Sequence, residues 1–168
     1  TSAFGSTVPF KSALVASYLL AQLAGASTGA VLVWLTYNKH LEASSDADLK
    51  KAIFCTAPAI RRPLHNLITE FIGTFVLMFG ALAFTPATTS LGTLDALPVT
   101  LLVLGIGLSL GGPTGYAINP ARDLGPRIAH FLLPIPGKRD SDWSYSWIPI
   151  VGPIAGALLA AWTFSLIK

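Results

Sequence analysis

The sequence predicts an all-α membrane protein, a bundle of helices that cross the bilayer together with one short helix that enters it without crossing. Hydrophobic residues make up 52% of the chain and charged residues 11%, whereas soluble domains carry about 25% charged residues. Mean hydropathy is +0.63. Asn119 and Pro120 also stand inside an apolar run that has no charged residue between Asp95 and Arg122. The composition places the chain in lipid, and the Asn-Pro pair places a helix start there.

Four segments are long and apolar enough to be spanning helices. A bilayer core of about 30 Å needs about 20 residues at about 1.5 Å per residue. The third segment is shorter than the others because a Gly-Gly-Pro-Thr-Gly sequence beginning at Gly111 is expected to break it. The predicted spanning helices are about 12–36, 65–84, 97–110 and 147–167.

Residues 111–133 are expected to form a re-entrant loop followed by a half-helix. The side-chain oxygen of Asn119 can accept hydrogen bonds from the free N–H groups of the first turn, and Pro120 lacks the N–H that would go unpaired there. Pro134 and Pro136 end this helix before it is long enough to cross the bilayer. Irregular backbone at membrane depth is tolerated only where it is buried in protein or lines a cavity. The segment therefore indicates a pore lining.

Arg122 is the leading functional candidate of this segment. Its guanidinium cannot lose its charge and offers a planar fork of donors, and an ionisable residue inside a membrane needs partners or water. The N-terminus of the half-helix adds about half a positive charge. Together they are expected to repel cations and hydronium, while the NH₂ group of Asn119 remains free to donate to a passing hydroxyl.

The sequence gives little support to catalysis or to a bound cofactor. It contains no Gly-x-Ser-x-Gly elbow, His-Glu-x-x-His motif or phosphate-binding glycine loop. Asp123 has no His or carboxylate at ligand spacing, and the one cysteine, Cys55, excludes a disulfide framework. The net charge of +3 comes from basic residues scattered between the apolar spans, which is typical of head-group contacts. We predict no enzyme, no cofactor, no metal and no nucleic-acid partner.

Three pairs of glycines, each separated by one helical turn, predict close helix packing. Such spacing lets neighbouring backbones approach closely in lipid. The pairs are Gly25 and Gly29, Gly107 and Gly111, and Gly152 and Gly156.

The run GGPTGYAINPARDLGPR, from Gly111 to Arg127, resembles the second Asn-Pro-Ala loop of the major intrinsic proteins, and its Arg-Asp ending is the form seen in aquaglyceroporins. Segments 21–26 and 69–74 resemble the third and fourth transmembrane helices of that family. The resemblance is strongest to the bacterial glycerol uptake facilitators. It implies an aquaporin-like bundle in a bacterial plasma membrane. The implied function is a passive channel that conducts glycerol, other small uncharged solutes and water and excludes ions and protons.

The same resemblance implies an incomplete channel. The family has six spanning helices and two Asn-Pro-Ala half-helices in two inverted repeats, whereas this chain contains one Asn-Pro-Ala. We therefore expect residues 1–168 to be one channel-domain fragment, the third helix plus the second repeat, without the N-terminal third. A genuinely short protein would have to assemble with a second polypeptide. The resemblance also implies contact with the lipid bilayer and a homotetramer for the full-length protein.

The family's selectivity filter can be carried over residue by residue. The resemblance makes Arg122 the filter arginine and places Gly107, fifteen residues earlier, where strict water channels carry His. Tyr116, in place of the more usual Phe, supplies another wall. The carbonyls of Gly115, Tyr116 and Ala117 are expected to accept from successive hydroxyls while Asn119 and Arg122 donate. The expected pore and filter residues are Gly107, Gly115, Tyr116, Ala117, Asn119, Pro120, Ala121 and Arg122.

Three further polar residues are expected to be structural supports. Glu70 would be costly in a spanning helix unless its oxygens accept loop N–H groups, and the family uses the matching glutamate to hold the second loop. Gln22 is expected to hold the first loop in the same way, and Asp123 to pair or to cap the half-helix. Two alternatives stay open, an ion-coupled small-solute transporter that uses Glu70 and a non-conducting membrane scaffold.

Overall fold

A computed structural model describes residues 12–84 and 92–167, and these residues are helical apart from the connecting loops. A short 3-10 turn, Gly92–Leu94, precedes the fourth helix. The α-helices are α1 (Ser12–Ala43), α2 (Ala47–Ala52), α3 (Pro63–Ala83), α4 (Leu97–Thr114), α5 (Pro120–Leu132) and α6 (Ile148–Ile167). The prediction of an all-α fold is confirmed.

Helices α1, α3, α4 and α6 are long and apolar enough to cross a membrane, which agrees with the four predicted spans. Helix α1 continues beyond the predicted end at residue 36, to Ala43. Its last turns carry Leu41, which is 2% exposed and packs with Phe54 and Cys55. This buried contact stabilises the last turns of the helix beyond the apolar run.

The predicted break of the third span at Gly111 is wrong. Helix α4 runs through Gly111 and Pro113 and ends at Thr114. A proline in the last turn removes only one donor from the helix. The helix stops where Gly115 adopts a left-handed conformation, with φ of 75°, and donates its N–H to the carbonyl of Gly111 at 2.9 Å. Glycine is favoured at such an end because it has no Cβ to clash.

Glycines set two of the helix crossings. A methyl group on Gly152 would lie 2.8 Å from Cβ of Glu70, so α6 packs directly against α3. A methyl group on Gly125 would lie 2.7 Å from Cβ of Ala26, which brings α5 equally close to α1. By contrast, a methyl group on Gly25 or Gly29 would meet no described atom within 4 Å. That face of α1 is open in the described part of the chain.

Helix α5 is the expected half-helix, with 13 residues, too few to cross a bilayer core. It packs against α1 and α6. The ammonium group of Lys138 closes its C-terminal end, since Nζ donates to the carbonyls of His130 at 2.5 Å, Phe131 at 2.9 Å and Leu133 at 2.6 Å. A cation at a helix C-terminus is favoured by the helix dipole. The other end of α5 begins after Asn119, which is exposed.

Candidate functional site

The site begins at the N-terminus of α5. Oδ1 of Asn119 accepts hydrogen bonds from the N–H groups of Ala121 at 2.9 Å and Arg122 at 3.4 Å. Pro120 occupies the first helical turn and has no N–H to satisfy. Asn119 is exposed, and its cap uses only the side-chain oxygen. Its NH₂ group is therefore available to donate to a solute.

Glu70 holds the loop that leads into α5. This residue of α3 is fully buried, and its two carboxylate oxygens accept from the N–H groups of Ala117 at 3.0 Å and Ile118 at 2.7 Å. Tyr116 and Ile118 have positive φ angles of 39° and 43°, a strain of about 1–3 kcal/mol per residue. Hydrogen bonds to a charged group contribute about 1.5–3 kcal/mol each. The two bonds are large enough to offset that strain.

The same geometry favours a structural role for Glu70 over a role as a proton carrier. Both of its oxygens accept hydrogen bonds from backbone N–H groups, and these groups cannot receive a proton from the carboxylate. The residue also has no solvent-exposed surface. Gly152 lies against its Cβ on the other side. The carboxylate is fixed between α6 and the loop, an arrangement that suits a structural support.

Tyr116 and Gly107 lie together, beside Arg122. A methyl group on Gly107 would come within 3.3 Å of Cζ of Tyr116, so the phenol ring rests against the backbone of α4. The guanidinium carbon of Arg122 lies 5.3 Å from the centroid of the same ring, within the range of a cation–π contact. Arg122 is exposed, and its guanidinium makes no hydrogen bond to another described residue. Its donors are available to a ligand.

A cavity of about 730 Å³ runs along α1 and the start of α5. It brings together three of the predicted pore residues and Gln22, whereas Gly107, Gly115, Tyr116, Ala117 and Pro120 are not in its lining. Most of the lining side chains are apolar, and Asn119 and Arg122 add hydrogen-bond donors to the lining. The lining residues are Gln22, Gly25, Ala26, Gly29, Ala30, Val33, Ile53, Phe54, Asn119, Ala121, Arg122 and Pro126.

The loop residues predicted to offer carbonyls are placed differently from one another. Gly115 and Tyr116 are partly buried, and Ala117 is fully buried. Gly115 also packs near Thr56, since a methyl group on it would lie 3.5 Å from Cβ of that residue. The loop is thus held from two sides, by α3 and by the segment that follows α2.

Asp123 belongs to a buried ion pair on α5. It is fully buried, and its carboxylate accepts from Nε and Nη2 of Arg127, both at 2.8 Å. The backbone N–H of Thr56 also donates to it at 2.9 Å. Arg127, equally buried, donates in turn to the carbonyls of Thr56 at 2.8 Å and Ser141 at 2.5 Å. The pair ties α5 to the connection between α2 and α3 and to the connection between α5 and α6.

Arg127 and Thr56 are residues that the sequence did not single out. The available signal was the spacing of Asp123 and Arg127, four residues apart on one helix, which permits an ion pair. Such pairs are common on solvated faces, so the spacing alone does not reveal burial.

Two titrating groups in the connections are shifted by their surroundings. Burial raises the pKa of the Cys55 thiol to about 11, so it stays protonated and unreactive. Burial would also raise the pKa of Asp142, but hydrogen bonds from Arg61 and Ser144 outweigh it and hold that pKa below its ordinary value of 3.8. Arg61 and Asp142 form an ion pair between the connection before α3 and the connection before α6.

Comparisons with known proteins agree with this architecture. The family model described as "Major intrinsic protein" matches residues 1–164. The "Probable glycerol uptake facilitator protein" of Thermotoga maritima is 58% identical over 147 residues, which cover 88% of this chain and 62% of that relative. The "Glycerol uptake facilitator protein 3" of Lactiplantibacillus plantarum is 54% identical over 158 residues, covering 94% of this chain and 65% of that relative. The chain thus spans less than two thirds of these relatives.

A solved structure supports the same fold. The X-ray structure of the aquaglyceroporin from Plasmodium falciparum matches with a TM-score of 0.76 at 25% sequence identity. The match covers 94% of this chain and 66% of that structure. Both comparisons therefore extend over nearly all of the present sequence.

Proposed function

Because the chain belongs to the major intrinsic protein family, we propose that it forms part of the wall of a passive channel for glycerol and other small uncharged solutes, and also for water, and that it is not an enzyme. It is a multi-pass protein of a bacterial plasma membrane. The glycerol facilitators to which it is similar are longer than this chain. The conducted solutes are accordingly part of the proposal.

The observation that carries the proposal is the cavity beside α5. Its lining combines two donors, Asn119 and Arg122, with apolar residues that include Ala26, Val33 and Phe54. A linear polyol has hydroxyl groups along one edge and carbon atoms along the other. The donors would bind the hydroxyl groups of the solute, and the apolar side chains would contact its carbon edge. These contacts would replace much of the water that the solute loses on entering.

The filter is proposed to lie where Tyr116 meets Arg122. Gly107 leaves room for the Tyr116 ring, and the carbonyls of Gly115, Tyr116 and Ala117 are proposed to accept from solute hydroxyls. Ala121 and Pro120 shape the start of α5. Ion and proton exclusion is proposed to follow from the Arg122 charge and the positive N-terminus of α5. No carboxylate lines the cavity in the described part of the chain to offset that charge.

The surrounding partners are proposed to be lipid and further copies of the chain. Large apolar side chains remain exposed on the spanning helices, among them Leu108, which is 81% exposed, and Leu158, which is 66% exposed. In a bilayer these faces would contact acyl chains or neighbouring subunits. We propose a homotetramer for the completed channel. We also propose that Gln22, which lines the cavity, supports the first Asn-Pro-Ala loop.

The cavity is open on one side, so we predict that conduction requires further protein to close it. We expect residues 1–168, reconstituted alone in vesicles, to give no glycerol flux above that of empty vesicles. We also expect flux from a chimera in which this chain replaces its matching segment of the Thermotoga maritima relative. Stopped-flow light scattering measures both. Rapid glycerol flux from the chain alone would show that it builds a complete pore by itself, and a well-folded but silent chimera would contradict the proposed channel.

A matched pair of substitutions tests the donor role of Asn119. Asn119→Asp keeps the oxygen that caps α5 but replaces the NH₂ donor with a negative oxygen, so glycerol flux through the chimera should fall while the protein remains folded. Asn38→Asp makes the same chemical change on α1, outside the cavity lining. Equal flux in the two variants would remove Asn119 from the solute path.

A further inference from the structure

The ring of Tyr116 rests on two glycines of α4 that lie one turn apart. A methyl group on Gly107 would lie 3.3 Å from Cζ of Tyr116, and one on Gly111 would lie 3.1 Å from its Cδ1. Two other glycines of the same helix behave differently, because a methyl group on Gly105 or Gly112 would meet no described atom within 4 Å. The glycine pair therefore contacts an aromatic ring instead of a neighbouring helix.

The ring has little freedom to yield to an added methyl group. The backbone of α4 closes one side of it, and the N–H groups of the next two residues, Ala117 and Ile118, are held by Glu70. Ile118 is itself packed against α3, since a methyl group on Gly73 would lie 3.0 Å from its Cγ2. The guanidinium carbon of Arg122 lies 5.3 Å from the ring centroid, so a displacement of the ring changes the space beside Arg122.

We propose that Gly111 is a specificity-determining residue that acts through Tyr116. It does not itself face the solute. By lacking a side chain, it sets how deeply the phenol ring sits against α4, and so how much width remains beside Arg122. This inference rests on the proposed function, because the width matters only if solutes pass between Tyr116 and Arg122.

The first test compares two neighbouring positions. In the chimera, Gly111→Ala should lower glycerol permeability about tenfold, the change produced by about 1.4 kcal/mol of added barrier, and should lower water permeability much less because water is smaller. Gly112→Ala adds the same methyl group to the next residue and should leave both permeabilities unchanged. Equal loss of the two permeabilities in Gly111→Ala, or the same effect from Gly112→Ala, would overturn the proposal.

A double substitution separates a displaced ring from a damaged helix. With Tyr116→Ala there is no ring to displace, so adding Gly111→Ala should change neither the permeability ratio nor the folded yield. If Gly111→Ala alone fails to fold, rescue by Tyr116→Ala would place the clash on the ring as proposed. Misfolding that persists without the ring would overturn the proposal, because the methyl group would then be clashing elsewhere.

A spectroscopic readout distinguishes this inference from the channel proposal. With 3-fluorotyrosine incorporated, the ¹⁹F NMR signal of Tyr116 can be assigned by its loss in Tyr116→Phe. That signal should shift in Gly111→Ala and stay in place in Gly112→Ala, whether or not the protein conducts. A shifted signal with no glycerol flux from the unsubstituted chimera would refute the channel and retain the packing. An unshifted signal would refute the role of Gly111.

Discussion

Four polar residues of α3 and of the start of α5 fall into two groups with opposite surroundings. Glu70 and Asp123 are fully buried, and each accepts hydrogen bonds from backbone N–H groups of this chain. Asn119 and Arg122 are exposed and line the cavity. The two acids make hydrogen bonds within the fold. The NH₂ group of Asn119 and the guanidinium of Arg122 make none to another described residue.

Arg122 and Asp123 show how closely the two groups are joined. They are adjacent in the sequence, yet helix α5 turns one towards the cavity and the other towards buried Arg127. Residues of a helix that are one position apart do not share a face. The charged pair on the buried face of α5 therefore holds the helix that carries Arg122 without lining the cavity. Substitutions of the buried acids should therefore impair folding, whereas substitutions of the exposed donors should change selectivity.

The largest expected effect follows from removing Asp123. Asp123→Ala leaves the Arg127 charge buried without its counter-ion, a loss of about 3–5 kcal/mol in the free energy of unfolding. Folded yield after detergent extraction, measured by size-exclusion chromatography, should collapse. Lys39→Ala breaks an exposed ion pair with Glu42 and should change the yield little. Normal yield with altered selectivity would move Asp123 into the solute-facing group.

Glu70→Gln should have a smaller effect of the same kind. One oxygen still accepts from a loop N–H, but the new NH₂ group faces a second donor, which should cost about 1–3 kcal/mol. We expect a modest fall in folded yield and glycerol transport that does not vary with pH. Glu42→Gln, on an exposed turn, is the matched control. Transport by Glu70→Gln that gains or loses coupling to protons would instead support the transporter alternative.

Gly107→His tests the solute-facing group. Even a methyl group there would contact Cζ of Tyr116 at 3.3 Å, so an imidazole must displace the ring and narrow the filter. Glycerol permeability of the chimera should fall far more than water permeability, and Gly107→Ala should do much less. Equal loss of both permeabilities in a folded Gly107→His protein would leave Gly107 with a packing role only.

The smallest expected effect concerns the ion pair between Arg61 and Asp142, outside the membrane spans. The pKa of Asp142 is held below 3.8 in the folded protein, so the pair stabilises the fold above that pH. This contribution should be lost as the pH falls from 3.8 through the lowered pKa. Thermal unfolding followed across this range should show a weaker acid dependence in Asp142→Asn than in the unsubstituted protein. Identical profiles would show that the pair does not couple to folding.

The spans and the half-helix could be predicted because their causes are local. An apolar run predicts a spanning helix, and Asn119 followed by Pro120 predicts a cap, both without knowledge of what packs against them. The predicted end of α4 is wrong because Gly111 and Pro113 have low helix propensity and yet lie within the helix. The helix ends only where Gly115 adopts a left-handed conformation. Whether a glycine ends a helix depends on the conformation that tertiary packing gives it.

The supports of the site were less accessible to sequence. The role of Glu70 was expected from family resemblance, since nothing in its own segment identifies its partners 47 and 48 residues away. The sequence around Arg127 does not indicate that its side chain is fully buried. The contact between Tyr116 and Gly111 depends on the side-chain direction set by a positive φ of 39° at Tyr116, which the order of residues does not reveal.

We propose that glycerol passes Asn119 and Arg122 passively. The most direct test is glycerol flux through the chimera, measured with and without a proton or sodium gradient. Stopped-flow scattering gives the rate of glycerol entry, and a voltage-sensitive dye in the same vesicles reports any accompanying charge. We predict rapid glycerol equilibration at one rate under all gradients, with no dye response. Glycerol entry that follows an ion gradient, or that carries charge, would contradict the account and make Glu70 or another titrating group part of a transport cycle.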